Sequence, residues 1–256
     1  MKIFKIIGIC VIMVFSFYYT DKISSYVLET NQLYKEIESK AKDYYVASIP
    51  AVIDNNYIIP GLSGSKVNIK DSFFNMKSIN TFNDSYLVYK EIIPKNSIKN
   101  NIDKIIKNGN TNKLGITFII EQDEDIKKYF INNNINADIL IDESSFLTNS
   151  SLEQLNNDVN NYKSVEKLLD DNNLNTNICI INNNIENICR ELKKYLIEPK
   201  ILNNNTFYNI KNNITSGDII LVKKGTNIDN IKVLIDNVKF RDLNIIYLSR
   251  MIDEAR

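Results

Sequence analysis

The chain has 256 residues with 31 basic and 31 acidic side chains, no histidine and no tryptophan. A formal charge of zero leaves no basic stripe to gather phosphates, so nucleic acid is excluded as a partner. Without imidazole, serine or cysteine triads with a histidine base and histidine-ligated zinc sites are excluded too. The length suits an anchor plus one or two ordinary domains.

At the N-terminus, Lys2 and Lys5 precede an uncharged apolar stretch from Ile6 to Tyr19. Counted from Ile3, it reaches the lower limit of about 17 residues for a spanning helix. Cations ahead of the span hold the N-terminus in the cytoplasm, and the Tyr18–Tyr19 pair suits the far interface. The expectation is a retained single-pass anchor over 1–20 in the cell membrane, with the body extracytoplasmic. A cleaved signal peptide would export the body as well, but no small-x-small site follows the run. Cys10 does not make a lipoprotein signal, because Ile9 before it is too large.

From Ile23, the positions Ile23, Val27, Thr30, Tyr34, Ile37, Ala41 and Tyr44 recur in steps of four and three, which is heptad spacing. A helix over 21–49 can be a coiled-coil stalk that forms a homodimer. It can also be a single amphipathic helix packed on its own domain, and this second reading is preferred because Thr and Ala weaken the seam. Pro50 ends it.

Residues 50–112 read as a small module. Pro60-Gly61 and Ser63-Gly64 punctuate turns, Asn68–Ile79 is an expected helix and Tyr86–Ile93 an expected strand. Gly109 and the polar run to Lys113 supply a linker.

From 113 to 256, strands and helices alternate. Strands are expected at Gly115–Ile120, Asp138–Ile141, Asn177–Ile181, around Leu196, at Asp218–Val222 and at Asn244–Leu248. Helices are expected at Asp123–Asn133, over most of Leu152–Leu169, and at Ile185–Leu192, Phe207–Ile214 and Ile228–Phe240. The fold class is therefore α/β, with parallel strands covered by helices as an open sheet or an incomplete barrel. The asparagine runs 132–134, 182–184 and 203–205 read as solvated turns and helix ends. Cys179 and Cys189 can pair in an oxidising compartment, and Cys189 equally suits a buried stripe with Ile185, Ile188 and Leu192; both readings stay open.

Gly115, Gly217 and Gly225 stand alone, so there is no phosphate-binding glycine loop. Glu121, Asp123, Glu124 and Asp125 follow the first strand of the regular domain, where α/β folds collect catalytic groups. Acidic residues in a first helical turn followed by Lys127 and Lys128 are also what the helix dipole favours, and that structural reading outweighs the catalytic one. Asp142 and Glu143, after the next strand, carry the same two readings.

Leu114-Gly-Ile-Thr-Phe-Ile-Ile, then a helix, then Ala137-Asp-Ile-Leu-Ile-Asp-Glu-Ser-Ser-Phe146, resembles the opening of the NodB-like polysaccharide deacetylases, where a strand reading TFDDG precedes a strand reading ATFF. Asn209-Ile-Lys-Asn-Asn-Ile-Thr-Ser-Gly-Asp-Ile-Ile-Leu-Val222 and Leu243-Asn-Ile-Ile-Tyr-Leu-Ser249 are similar to that family's closing helix and last two strands. The resemblance covers 113–256. It implies a distorted, incomplete (β/α) barrel and an ancestry in metal-dependent removal of acetyl groups from cell-wall polysaccharide. The chemistry does not carry over. The family's paired aspartates fall on Ile119 and Ile120, its two histidine ligands find only amides and Asp158 in Asn157–Asn161, and its late histidine corresponds to Lys223. Without ligands there is no metal-bound water to act as nucleophile. No catalytic residue, metal ligand or cofactor is therefore assigned. The reading that follows is an anchored deacetylase-like protein, catalytically inactive, that binds glycan, scaffolds or regulates at the envelope. Its alternatives are a hydrolase built on Glu121, Asp123 and Asp142 alone, and a coiled-coil structural protein.

Overall fold

The computed structural model describes residues 11–16, 18–19, 26, 28–148, 150–181 and 185–255. Of the expected anchor over 1–20, residues 1–10, 17 and 20, Cys10 among them, lie outside the described residues. Residues 11–16, 18 and 19 are helical, with their apolar side chains exposed. Among the described residues no helix is long and apolar enough to cross a membrane.

Helix α1 (Gln32–Lys40) starts on Asn31, whose Oδ1 accepts the Leu33 N–H at 2.9 Å. Strands β1 (Val52–Asp54) and β2 (Tyr57–Ile59) form a hairpin whose turn places Asn55 at φ +50°, a left-handed conformation asparagine tolerates. Strand β3 (Gly64–Val67), helix α2 (Ile69–Met76) and strand β4 (Tyr89–Ile92) follow, with β3 and β4 antiparallel.

The chain divides into two compact units, Met1–Ala47 with Gly64–Ile92, and Ser48–Ser63 with Ile93–Arg256. In the smaller unit Leu33 and Ile37 of α1 are buried with Val67, Phe73 and Met76, and the Tyr34 and Phe73 rings meet edge-on at 5.8 Å. Tyr34, Ala41 and Tyr44 of the heptad stripe pack on this cluster, whereas Thr30 is exposed. Ile23 and Val27 lie outside the described residues.

Within the span 50–112, residues 50–63 and 93–112 fall in the larger unit and 64–92 in the smaller. Strand β2 pairs in parallel with β5 (Ile105–Ile106), which ties the first hairpin to the larger unit, while 64–92 fold back onto α1. A module interrupted in sequence leaves no composition shift to mark it.

In the larger unit come β6 (Gly115–Ile120), α3 (Glu124–Asn132), β7 (Asp138–Ile141), β8 (Glu153–Asn156), α4 (Tyr162–Asp171), β9 (Ile178–Ile180) and α5 (Glu186–Glu191). They are followed by β10 (Tyr195–Ile197), β11 (Lys200–Leu202), α6 (Phe207–Asn213), β12 (Ile219–Val222), α7 (Ile228–Phe240), β13 (Asn244–Ile245) and α8 (Leu248–Ile252). One sheet runs β11-β12-β6-β7-β8, all parallel, with β13 beside β6; the other runs β1-β2-β5-β10-β9, parallel except for the hairpin. The architecture is mixed α/β with parallel sheets. Among the described residues no ladder joins β8 to β9, so the strands do not close into one continuous barrel.

All of β6 is buried, as expected of a strand covered on both faces. Its alternation sends Ile116, Phe118 and Ile120 into the layer under the helices, with Ile126, Phe130 and Leu234. Ile119 enters a second cluster with Leu140 and Leu155 of the same sheet and Ile178 and Ile197 of the other. The two sheets therefore share an apolar core.

Two expected elements differ. Leu152–Leu169 is not mostly helical: Glu153–Asn156 is strand β8, in register with β7, and the helix begins at Tyr162. Cross-strand pairing overrides the helix-like spacing here, and Gln154 is satisfied through the Leu147 backbone, donating to its carbonyl and accepting its N–H, both at 2.8 Å. The last strand stops at Ile245, because the Thr117 hydroxyl donates to the Ile246 carbonyl at 2.9 Å and the chain then turns into α8.

Cys179 and Cys189 form a disulfide between β9 and α5, with Cα atoms 6.2 Å apart. Both are fully buried, in a cluster with Tyr162, Ile185 and Leu196.

Candidate functional site

Because β6, β7, β8 and β12 are parallel, their C-terminal ends share one rim, and the loops there carry Glu121, Asp142, Asn157 and Lys223. Glu121, Asp142, Asn157 and Lys224 line a cavity of 270 Å³. Asp142 and Asn157 also line an adjoining cavity of 510 Å³, together with Glu143, Ser144, Asp158 and Asn161. Of the strand-end carboxylates singled out in the sequence, Glu121, Asp142 and Glu143 line these two cavities, and Asp123, Glu124 and Asp125 do not.

Glu121, Asp123, Glu124, Asp142 and Glu143 are already engaged. Glu121 forms an ion pair with Lys223 and accepts the Lys224 N–H at 2.9 Å. Asp123 caps α3, its Oδ1 accepting the N–H groups of Asp125 and Ile126 at 3.1 and 3.2 Å, while its Oδ2 accepts the Gly225 N–H at 3.0 Å. Gly225 adopts φ +77°, a conformation favoured by glycine, to present that N–H. The Gly225 bond is the largest influence holding the Asp123 carboxyl below the usual carboxylate range, and the two helix N–H groups add to it. Glu124 pairs with Lys127 within the first turns of α3, as the helix-dipole reading expects.

Asp142 Oδ1 accepts the Ser144 and Ser145 hydroxyls at 2.7 and 2.8 Å and the Ser144 N–H at 3.0 Å. The two serines lower its pKa. Glu143 accepts the Ser164 hydroxyl at 2.9 Å. Asp158 Oδ1 takes the N–H groups of Asn161 and Asn160 at 2.8 and 3.0 Å, and the Asn161 bond leads in lowering its pKa. These acids organise loops. Removing the Asp123 cap by Asp123→Ala is expected to cost about 1–2 kcal/mol, read as a lowered denaturation midpoint by circular dichroism.

The residues present do not fit a divalent metal. Ile119 and Ile120 stand together at the C-terminal end of β6, one in each apolar cluster, and amides with the single carboxylate of Asp158 occupy the stretch after β8. Among the described residues no three His, Cys, Asp or Glu side chains are grouped to hold an ion. Lys224, Gly225 and Ser145 were not visible as site partners in the sequence. Two of them act across about a hundred residues of chain through backbone N–H groups that every residue type offers.

The fold matches that of known proteins. BA3943 of Bacillus anthracis, described as a CE4 family pseudoenzyme, superposes with a TM-score of 0.58 at 17% identity, covering 88% of this chain and 96% of that one. A BA3943 mutant described as having restored enzymatic activity superposes with the same TM-score and identity, over 88% and 99% of the two chains. The uncharacterized protein YlxY of Bacillus subtilis (strain 168) is 36% identical over 89 residues, 34% of this chain and 28% of that protein, so the match spans less than a third of the relative. No family model matches the chain. The chain has the NodB-like polysaccharide deacetylase fold of the CE4 carbohydrate esterases.

Proposed function

We propose that this is a membrane-anchored, extracytoplasmic, deacetylase-like protein that has lost metal-dependent deacetylation and binds glycan, scaffolds or regulates at the cell envelope. The observation that carries it is the occupancy of the rim: Ile119 and Ile120 replace the family's aspartates, and Lys223, at the late histidine position, is tied to Glu121. The two sheets are the halves of an incomplete (β/α) barrel in this reading. The Cys179–Cys189 bond supports export, since disulfides persist in oxidising compartments, and Lys2 and Lys5 ahead of the apolar run support an inward-facing N-terminus. The polar rim cavities, lined by amides, hydroxyls and carboxylates, suit the hydroxyl groups of a sugar.

The test is acetate release by the full chain, supplied with zinc, from acetylated chitooligosaccharide or peptidoglycan. No release above the protein-free blank is expected, and catalytic release would overturn the reading.

A further inference from the structure

Asp138 opens β7 inside an apolar strand and is 0% exposed. Its direct partner across the parallel ladder is Glu153 of β8. One oxygen of each carboxylate is accounted for: Asp138 Oδ2 accepts the Leu248 N–H at 2.9 Å, and Glu153 Oε1 accepts the Ser249 hydroxyl at 2.9 Å. The other two, Asp138 Oδ1 and Glu153 Oε2, are buried without a donor.

Two ionised carboxylates side by side would repel, and neither could satisfy the other. A single proton resolves both difficulties, because the protonated acid donates to the free oxygen of its partner. Burial is the strongest influence on Asp138 and pushes its carboxyl well above the usual range; the Leu248 N–H pulls it down, and Glu153, by charge and hydrogen bond, pushes it up again. The other titratable group bearing on the pair is Tyr247, held above its usual range by burial first and then by the charges of Glu153 and Asp138. Strand β6 brings the uncharged Ile119 opposite Asp138.

Both acids grip the turn into α8. That helix seats Leu248 and Ile252 in the core shared by the sheets. Beyond it, Glu254 accepts the N–H groups of Gly61 and Ile98 at 2.8 and 3.2 Å.

We propose that Asp138 and Glu153 share one proton at neutral pH, and that this proton latches the C-terminal segment 246–255 onto the sheet, so that the segment loosens as the surroundings become alkaline. The sign follows from where the proton is held. In the unfolded chain an aspartate releases it near 3.8, whereas the buried Asp138 keeps it to higher pH. The stability it supplies is full below the unfolded value and is lost as pH rises through the folded one.

Asp138→Asn closes the latch without a proton, its carbonyl accepting from Leu248 and its amide donating to Glu153. In the window where the folded wild type holds one extra proton, the ratio of wild-type to D138N unfolding constants should rise by up to about tenfold per pH unit. Amides of 246–254 should also lose protection with pH in the wild type and keep it in D138N. Parallel pH profiles for the two proteins overturn the proposal. Should D138N fail to fold, isotope-edited infrared spectra of the wild-type chain decide it: a protonated-carboxyl stretch persisting at neutral pH supports the latch, and its absence refutes it.

Discussion

Replacing Cys179 and Cys189 by alanine is expected to lower stability by about 3 kcal/mol, the chain-entropy value for closing a loop of this size. The bond spans 10 positions and joins β9 to α5. It lies where both sulfurs are sealed from water and Cys189 Sγ is 3.8 Å from the Tyr162 hydroxyl, whose pKa burial raises to about 12. Removing the sulfurs therefore leaves unfilled space beside Leu196 and Ile185 in addition to freeing the unfolded chain. Urea titrations of the wild type and the double variant, both under oxidising conditions, give the difference. A loss below about 1 kcal/mol would mean that the bond contributes little to this region. The same burial predicts that reductant acts slowly on the native protein, since the sulfurs must first be exposed by opening.

Ile119→Asp is expected to cost about 4 kcal/mol or more. The substitution places an acid where the resemblance implies a family aspartate, yet position 119 points into the cluster formed by Leu140, Leu155, Ile178 and Ile197. Losing the apolar side chain costs about 2–5 kcal/mol. An acid placed there without a donor adds about 1–3 kcal/mol of desolvation. The variant should melt far below wild type and gain no acetate release, because the remaining donors are still absent. If its melting temperature stays within a few degrees of wild type, the rim is more open to water than the buried Ile119 indicates.

The parts of the fold that were legible in the sequence are those whose signals are local. Gly115–Ile120 announces its strand by a β-branched run, and Ile228–Phe240 falls where the alternation of strands and helices places a helix. The stretch Glu153–Asn156 was illegible because its strand character comes from register with β7 rather than from its own polar residues. Strands β1, β2, β5 and β11 have two or three residues each, too few to establish a period. At the rim, Glu121, Asp123 and Asp142 could be placed from strand ends alone, whereas what engages them could not: Lys224 and Gly225 act through backbone, and Ser145 through a local turn. Asp138 and Glu153 were missed together, since one sits in an apolar run and the other in a stretch read as helix.

The central claim is that a deacetylase fold persists here without its metal chemistry. It is tested most directly by measuring the zinc-to-protein ratio of the full chain after equilibration with excess zinc and exhaustive dialysis. The donor set at Ile119, Ile120, Asn157, Asn161 and Lys223 predicts a ratio far below one. One tightly held zinc per chain would contradict it.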